Sequence, residues 1–313
     1  MNMKISIMYL LWNLIVKIFL THEVAIVIAI GGYDMQDEIK IFDVGTAEVK
    51  EDPNLPHTPS SIQADTLFTF TSDLEYLIPY IENACIYPRY CDEDINYLNI
   101  AELKKIYIPM KCFCDINLHR LGCHLDWYGY YGLAFSKEWG MNNGIQPVQY
   151  INPKSELCKD FSIAFSSAIK SDSSKTGSLE NLMKSYMLHE LMYYKPYEGN
   201  MRNRRSGKTE RKCFTDECEW RFVPNLSGTE FEQVYYDNII MNAGIMNDVS
   251  NSLVSLPYIS LKFQYDDLKY IIIKNTDDFI KLVEVIDKLK INVNTRNELI
   301  SKIIIWDKTK GDF

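Results

Sequence analysis

Apolar positions recur along this chain with two periods, and the frequent switching between them predicts a mixed fold. Thr66 to Phe70 reads as a strand. Ser72 or Asp73 then caps a helix that carries Leu74, Leu77, Ile78 and Ile81 on one face. Ile106 to Phe113 is extended, after which Leu118, Leu121, Leu125 and Tyr128 repeat at spacings of three, four and three, the stripe of an amphipathic helix. Leu133-Ala134-Phe135 and Pro147 to Ile151 bracket a short helix with Ser136 as its N-cap and Gly144 as its stop. A further helix carries Leu179, Leu182, Met183 and Tyr186 and ends by Pro196. Ile259, Leu261, Phe263 and Tyr265 alternate, Tyr270 to Ile273 is extended, and helices follow at about 277–290 and 295–306, with Thr295 and Glu298 at capping-box spacing. The predicted class is α+β: a single mixed domain with a twisted, mostly antiparallel sheet and surrounding helices.

The N-terminal stretch has a different character. Ile5 to Leu20 is apolar but broken by Asn13 and Lys17, short of the roughly 20 residues that span a bilayer. A central lysine costs about 2.5–3.5 kcal/mol on insertion scales, so no membrane association is expected. Lys4 before an apolar core has the look of a signal peptide, yet no small-residue cleavage site follows cleanly, and a buried helix or a loosely packed extension fits as well. Val24 to Ile30, ending in Gly31-Gly32, reads as a strand that Ile39 to Val49 can pair with. Pro53, Pro56 and Pro59 then interrupt regular structure. Residues 1–60 are therefore expected to be an extension with a Pro-rich linker, and 61–313 the main domain.

Composition narrows the function. The chain has 313 residues, 47% hydrophobic and 24% charged, long enough to bury a core without disulfide or metal. Its net charge of −9 disfavours a surface that wraps nucleic acid. Eight cysteines in a chain this long suit a reduced, cytoplasmic compartment better than a secreted disulfide framework. There is no P-loop, dinucleotide-binding glycine fingerprint, G-x-S-x-G elbow or H-E-x-x-H motif.

Five local patterns carry chemistry. Cys112, Cys114, Cys123, His124, Cys213 and Cys218 supply ligand types that zinc prefers, but Cys-x-Cys is not the usual knuckle spacing, and no metal is expected. His124 stands four residues before Tyr128, so both rings can lie at the edge of one helix face, as a ligand-binding or catalytic pair or as an interior histidine bonded to a carbonyl. The glycines of Tyr128-Gly129-Tyr130-Tyr131-Gly132 permit close approach of either a ligand or another backbone. From Glu217 to Val223, alternation puts Cys218, Trp220 and Phe222 on one face and Glu219, Arg221 and Val223 on the other, so Glu219 and Arg221 form a structural pair or recognise a polar ligand. Residues 201–212 hold Arg202, Arg204, Arg205, Lys208, Arg211 and Lys212, a positive patch for a partner protein or nucleic acid, or a solvated loop.

The segment IPMKCFCDINLHRLGCHLDWYGYYGLAFSKEWGMNNGIQPVQYI, Ile108 to Ile151, resembles the signature region of the AbiGi family of abortive phage-resistance proteins. TLFTFTSDLEYLIPYIENACIYPRYCDEDI upstream, and KPYEG, ECEWRFVP and LKYIIIKNTDDFIKLVEVI downstream, resemble the same family, so the similarity runs from about Asp65 to Phe313. The resemblance implies a cytoplasmic antitoxin in a phage-defence system, partnered with a nucleotidyltransferase-like toxin. A second similarity is to ADP-ribosyltransferase-like folds, which grip NAD through a strand His-x-Thr, an aromatic pair and a late Glu. Here Thr69 stands in the histidine's place, Thr71 follows it, Tyr128 or Tyr131 supplies the aromatic ring and Glu219 the acid. The histidine itself is missing, and threonine lacks an imidazole's two ring nitrogens. Glu219, His124 and Tyr128 are thus the candidate catalytic groups, and Thr69, Thr71, Tyr131 and Arg221 the candidate pocket residues. No cofactor is expected except NAD under this second reading.

Overall fold

The computed structural model describes residues 63–100, 103–170, 179–203, 206–236, 243–256 and 258–312. The expectations for residues 1–62, and those for Arg204 and Arg205, lie outside the described residues. In chain order the strands are β1 (Thr66–Thr71), β2 (Cys85–Ile86), β3 (Arg89–Asp94), β4 (Lys105–Cys114), β5 (Tyr131–Ser136), β6 (Gln146–Pro147), β7 (Gln149–Ile151), β8 (Tyr194–Pro196), β9 (Glu198–Arg202), β10 (Thr209–Cys213), β11 (Glu219–Phe222), β12 (Tyr235–Tyr236), β13 (Leu261–Lys262), β14 (Leu268–Ile273) and β15 (Ile303–Ile305). The helices are α1 (Leu74–Asn83), α2 (Leu121–Tyr128), α3 (Lys137–Asn142), α4 (Glu156–Lys170), α5 (Leu179–Tyr193), α6 (Ala243–Leu253), α7 (Thr276–Ile286), α8 (Val293–Ser301) and α9 (Trp306–Thr309).

The main sheet runs β15-β14-β5-β1-β4-β11-β6, with β3 and β12 also paired to β4. Every pairing in it is antiparallel except β14 with β15. The period-two pattern decides which side chains meet which layer. Leu67, Leu133, Phe135, Ile271 and Ile273 pack on one face with Leu77 and Ile81 of α1, Leu282 of α7 and Leu299 of α8. Phe68, Ala134 and Ile272 pack on the other with Leu121 and Leu125 of α2 and Trp306 of α9. Covering both faces removes the apolar strand surface from water, at about 25 cal/mol for each Å² buried. β4 links this core to a second one. Its first half brings Ile106, Ile108 and Met110 against Phe161 and Phe165 of α4 and Leu191 of α5, and its last residue, Cys114, pairs with Phe68 of β1. The observed class is therefore the expected one, α+β with a mostly antiparallel sheet.

Three local expectations change. The 295–306 helix is really α8 followed by a strand. Asn292, not Thr295, caps α8, its side chain accepting the Thr295 amide at 2.9 Å, and Ile303–Ile305 joins β14 in parallel, as three β-branched residues favour. The stripe Leu182, Met183 and Tyr186 of α5 faces outward, 62%, 44% and 57% exposed, while Met187, Leu191 and Met192 are buried. Periodicity shows that a helix has an apolar face but not which of two such faces meets the core. The alternation expected from Ile259 to Tyr265 is strand only at Leu261–Lys262.

Backbone approach explains the glycine bend after α2. Gly129 has φ +108°, and a Cβ there would lie 2.1 Å from the Thr71 carbonyl oxygen. Gly129→Ala is expected to cost about 1–3 kcal/mol for the backbone conformation alone, with the clash adding to it. A urea-unfolding midpoint equal to that of the unaltered chain would contradict this reading.

Candidate functional site

Four strands, β3, β8, β10 and β11, deliver charge to one place. Along β11 the side chains alternate: Trp220 and Phe222 pack against the main core, while Glu219 and Arg221 are buried on the opposite face. Cys218, expected to share the Trp220 face, instead leaves the strand in a left-handed turn with φ 42° and packs near α2. Glu217 lies on the other side of that turn, and both carboxylates reach Lys195 of β8: Glu217 Oε2 at 2.6 Å, and Glu219 directly. Lys212 of β10 pairs with Glu217 Oε1 at 2.6 Å. Arg221, with no exposed side-chain surface, donates through Nε to Glu219 Oε1 at 2.7 Å and through Nη1 to the Met192 carbonyl at 2.7 Å, and its Nη2 lies 3.0 Å from Glu93 Oε1 of β3. Three carboxylates and three cations thus form a chain with no net charge, and no member is left alone in a low-dielectric interior.

Burial and neighbours set the protonation of this chain. Burial alone would raise the Glu219 carboxyl, but Arg221 and Lys195 hold it well below the usual carboxylate range. The same opposition leaves Glu217 lowered by Lys195 and Lys212. At Glu93 burial wins over the pull of Arg221 and Lys195, and its carboxyl is raised. Lys195 stays charged because Glu219, Glu217 and Glu93 together outweigh its desolvation.

A cleft of ≈ 320 Å³ opens above this chain, and Glu219, Glu217, Lys195 and Glu93 line it together with His124 and Tyr128 of α2. The Tyr128 hydroxyl donates to Glu217, and the His124 ring lies 4.4 Å from that of Tyr128 and 5.6 Å from that of Phe70. Burial pushes His124 down to about 4, against the attraction of Glu217, so the ring is neutral near pH 7. The ring is one wall of the cleft.

The structure therefore brings Glu219, His124 and Tyr128 together, with Arg221 beneath the floor. The other nominated residues lie elsewhere. Thr69 donates to the Cys112 carbonyl at 2.8 Å, Thr71 donates to the Asp73 carbonyl at 3.1 Å, and Tyr131 donates to Asp278 at 2.8 Å on the α7 side. Of the group that the NAD-binding resemblance would use, only Tyr128 and Glu219 share the cleft, and Glu219 is occupied by two cations. These residues do not fit NAD in the manner that resemblance implies. Arg202 and Arg211 stand on the exposed β9–β10 hairpin. Arg211 pairs with Glu198, and Arg202 donates to the Gly207 carbonyl at 3.3 Å. All eight cysteines are free thiols, burial pushes Cys112 and Cys114 well above the normal thiol range, and among the described residues no cluster of three His, Cys, Asp or Glu is placed to hold a metal.

Sequence reasoning passed over Glu93, Lys195 and the role of Glu217, and it placed Lys212 in the positive patch, whereas Lys212 pairs with Glu217 in the charged chain. The spacing Glu217, Glu219, Arg221 was a usable signal for a charged strand face, but nothing local points to Lys195 or Glu93, which are brought in by tertiary pairing.

The low pKa of His124 has a measurable consequence. Its folded pKa lies below the ordinary 6.5, so the unfolded chain binds more protons between about pH 4 and 6.5. His124 thus contributes stability that is present above that window and lost as pH falls through it. An NMR titration of its imidazole protons should give a midpoint near 4, and His124→Phe should flatten the stability slope between pH 4 and 6.5. A midpoint at 6.5 would place the ring in open solvent.

The family described as "Putative abortive phage resistance protein AbiGi, antitoxin" matches residues 84–274, which include β3, β4, α2, β8, β10 and β11 and so every member of the charged chain. "Abortive phage resistance protein AbiGi" of Lactococcus lactis subsp. cremoris is 33% identical over 247 residues, covering 72% of this chain and 98% of that protein. No solved structure matches the chain. Among the described residues no helix is long and apolar enough to cross a membrane. By these two matches the chain belongs to the AbiGi family of abortive phage resistance proteins.

Proposed function

We propose that this protein is the antitoxin of an abortive-infection pair in the cytoplasm, restraining a nucleotidyltransferase-like toxin by binding it rather than by modifying it. The observation that carries the reading is the closed charge chain. The carboxylates best placed for acid–base or nucleophilic work, Glu217 and Glu219, are both held ionised and ion-paired by Lys195, Lys212 and Arg221. A general acid or base needs a pKa near the working pH and a free lone pair or proton, and neither carboxylate has one. The family description supports the same reading, because an antitoxin acts through a protein partner.

The surface we assign to that contact is the outward stripe Leu182, Met183 and Tyr186 on α5. It is apolar and exposed, and the opposite face of the helix is fixed in the core through Met187 and Leu191. A stripe held this way loses little freedom on binding, and Tyr and Met are enriched at protein interfaces. Expression of the neighbouring toxin gene with and without this chain tests the proposal. Growth should be restored by the chain and by its His124→Ala variant alike. No rescue, or rescue lost with His124 alone, would count against it.

A further inference from the structure

Four carboxylates line the cleft, those of Asp92, Glu93, Glu217 and Glu219, and cations match them all. Asp92 pairs with Lys105 and Glu93 with Arg221, while Glu217 and Glu219 share Lys195 and also take Lys212 and Arg221 respectively. Four cations thus balance four carboxylates. Two further cations line the same cleft, Arg89 of β3 and Lys111 of β4, and the partners that the structure gives them are neutral. Arg89 donates through Nη1 to the Asn251 side-chain oxygen at 2.9 Å and through Nη2 to that of Asn247 at 3.4 Å. Lys111 donates to the Tyr80 hydroxyl at 3.3 Å, its Nζ 4.9 Å from the centre of the Tyr80 ring. The cleft therefore carries an excess of positive charge in a chain whose net charge is −9.

That excess has donors to spend. An arginine offers five N–H groups and a lysine three, and the contacts above engage two and one of them. The Tyr80 hydroxyl, which accepts from Lys111, keeps its own proton to donate. Arg89 and Lys111 come from neighbouring positions on paired strands, since the Cα partner of Arg89 is Met110, the residue before Lys111. Both are half-buried, so salt screens them less than it screens a surface charge. A hydrogen bond from such a cation to an anionic oxygen is about twice as strong as one between neutral groups. The rest of the wall is aromatic: the rings of Tyr80 and Tyr87 lie 6.3 Å apart, and Phe70, Phe113 and Tyr128 line the cleft with them.

We propose that this cleft binds a small aromatic anion, a flat ring bearing a phosphate or a carboxylate, with the anionic group held by Arg89 and Lys111 and the ring against the aromatic wall. Guanidinium and ammonium groups recognise either oxyanion, and a planar ring gains by packing on other rings. A volume of ≈ 320 Å³ lies at the small end of the range for small-molecule sites, about 300–1,000 Å³. This goes beyond the antitoxin reading and does not depend on it, since it concerns the purified chain without its toxin.

Isothermal titration of the full chain tests it with phenyl phosphate, benzoate and the four ribonucleoside 5′-monophosphates. Each is paired with an uncharged counterpart, phenol, benzamide or the nucleoside, and inorganic phosphate is titrated alone. At least one ring-bearing anion should bind about tenfold or more tighter than its counterpart and than inorganic phosphate, with an affinity that falls as salt is raised. Whether phosphate or carboxylate binds better then identifies the source of the anion. Lys111→Met and Arg89→Gln should each weaken that anion by about tenfold or more, the worth of one hydrogen bond to a charged group, and leave the counterpart's affinity unchanged. Lys111→Arg keeps the charge and should bind where Lys111→Met does not, which separates lost charge from lost structure. Binding of none of these anions, equal affinity for anion and counterpart, inorganic phosphate matching the ring-bearing anions, or affinity unchanged in both charge-removing variants would overturn the proposal.

Discussion

Replacing Arg221 with methionine is expected to destabilise the protein by about 3–5 kcal/mol, the cost of breaking a buried ion pair from one side. That is a large share of the roughly 5–15 kcal/mol that holds a folded domain together. The reason lies in what the substitution leaves behind. Arg221 is wholly buried and touches Glu219, Glu93 and the Met192 carbonyl. Glu219 keeps Lys195 when it is gone, but Glu93 loses its guanidinium, and the chain of three carboxylates and three cations becomes one cation short. Glu93→Gln in the same background restores neutrality and should recover part of the loss, with a coupling energy of about 0.5–3 kcal/mol. Urea unfolding of the two single variants and the double variant measures this. If Arg221→Met unfolds at the midpoint of the unaltered chain, the charges are solvated and the floor of the cleft is not as described.

The second large effect is functional and leaves the fold intact. Leu182→Asp with Tyr186→Asp is expected to abolish rescue from the toxin, because each carboxylate would face an apolar partner surface and stay unpaired there. Interface residues of this kind lose 2 kcal/mol or more on truncation when they sit at the centre of a contact, roughly a thirtyfold loss of affinity each. Both side chains are exposed, so the unfolding midpoint should move by no more than about 0.5 kcal/mol. Rescue by the double variant at the level of the unaltered chain would remove the α5 stripe as the contact. A shifted midpoint would mean that the stripe supports the fold.

The elements that could be read from the sequence were those set by local chemistry. Ser136 caps α3 by accepting the Trp139 amide, as its position before a helical run implies. Leu121 and Leu125 are buried where the three-four spacing put them. Glu219 and Arg221 share a strand face because side chains alternate, whatever lies around them. What could not be read depends on meetings between distant segments. Lys195 comes from 22 residues before Glu217, and Glu93 comes from 128 residues before Arg221. The outward face of α5 has the same apolar periodicity as a buried one, and only packing against α4 and the sheet decides between them. Ile303–Ile305 continued a helical pattern on paper but found an open strand edge at β14. The same limit applied to the nominated pocket: Thr69, Thr71 and Tyr131 flank the cleft in sequence, yet their hydroxyls are turned to backbone carbonyls and to Asp278.

The central claim is that restraint comes from stoichiometric binding and not from turnover. Titrating the purified toxin with this chain, while following toxin activity and the intact masses of both proteins, tests it most directly. Inhibition is expected to be complete near one chain per toxin, with both masses unchanged and the same curve for His124→Ala. Complete inhibition at a small fraction of that ratio, accompanied by a mass shift on the toxin, would show that the cleft performs chemistry and would contradict the account.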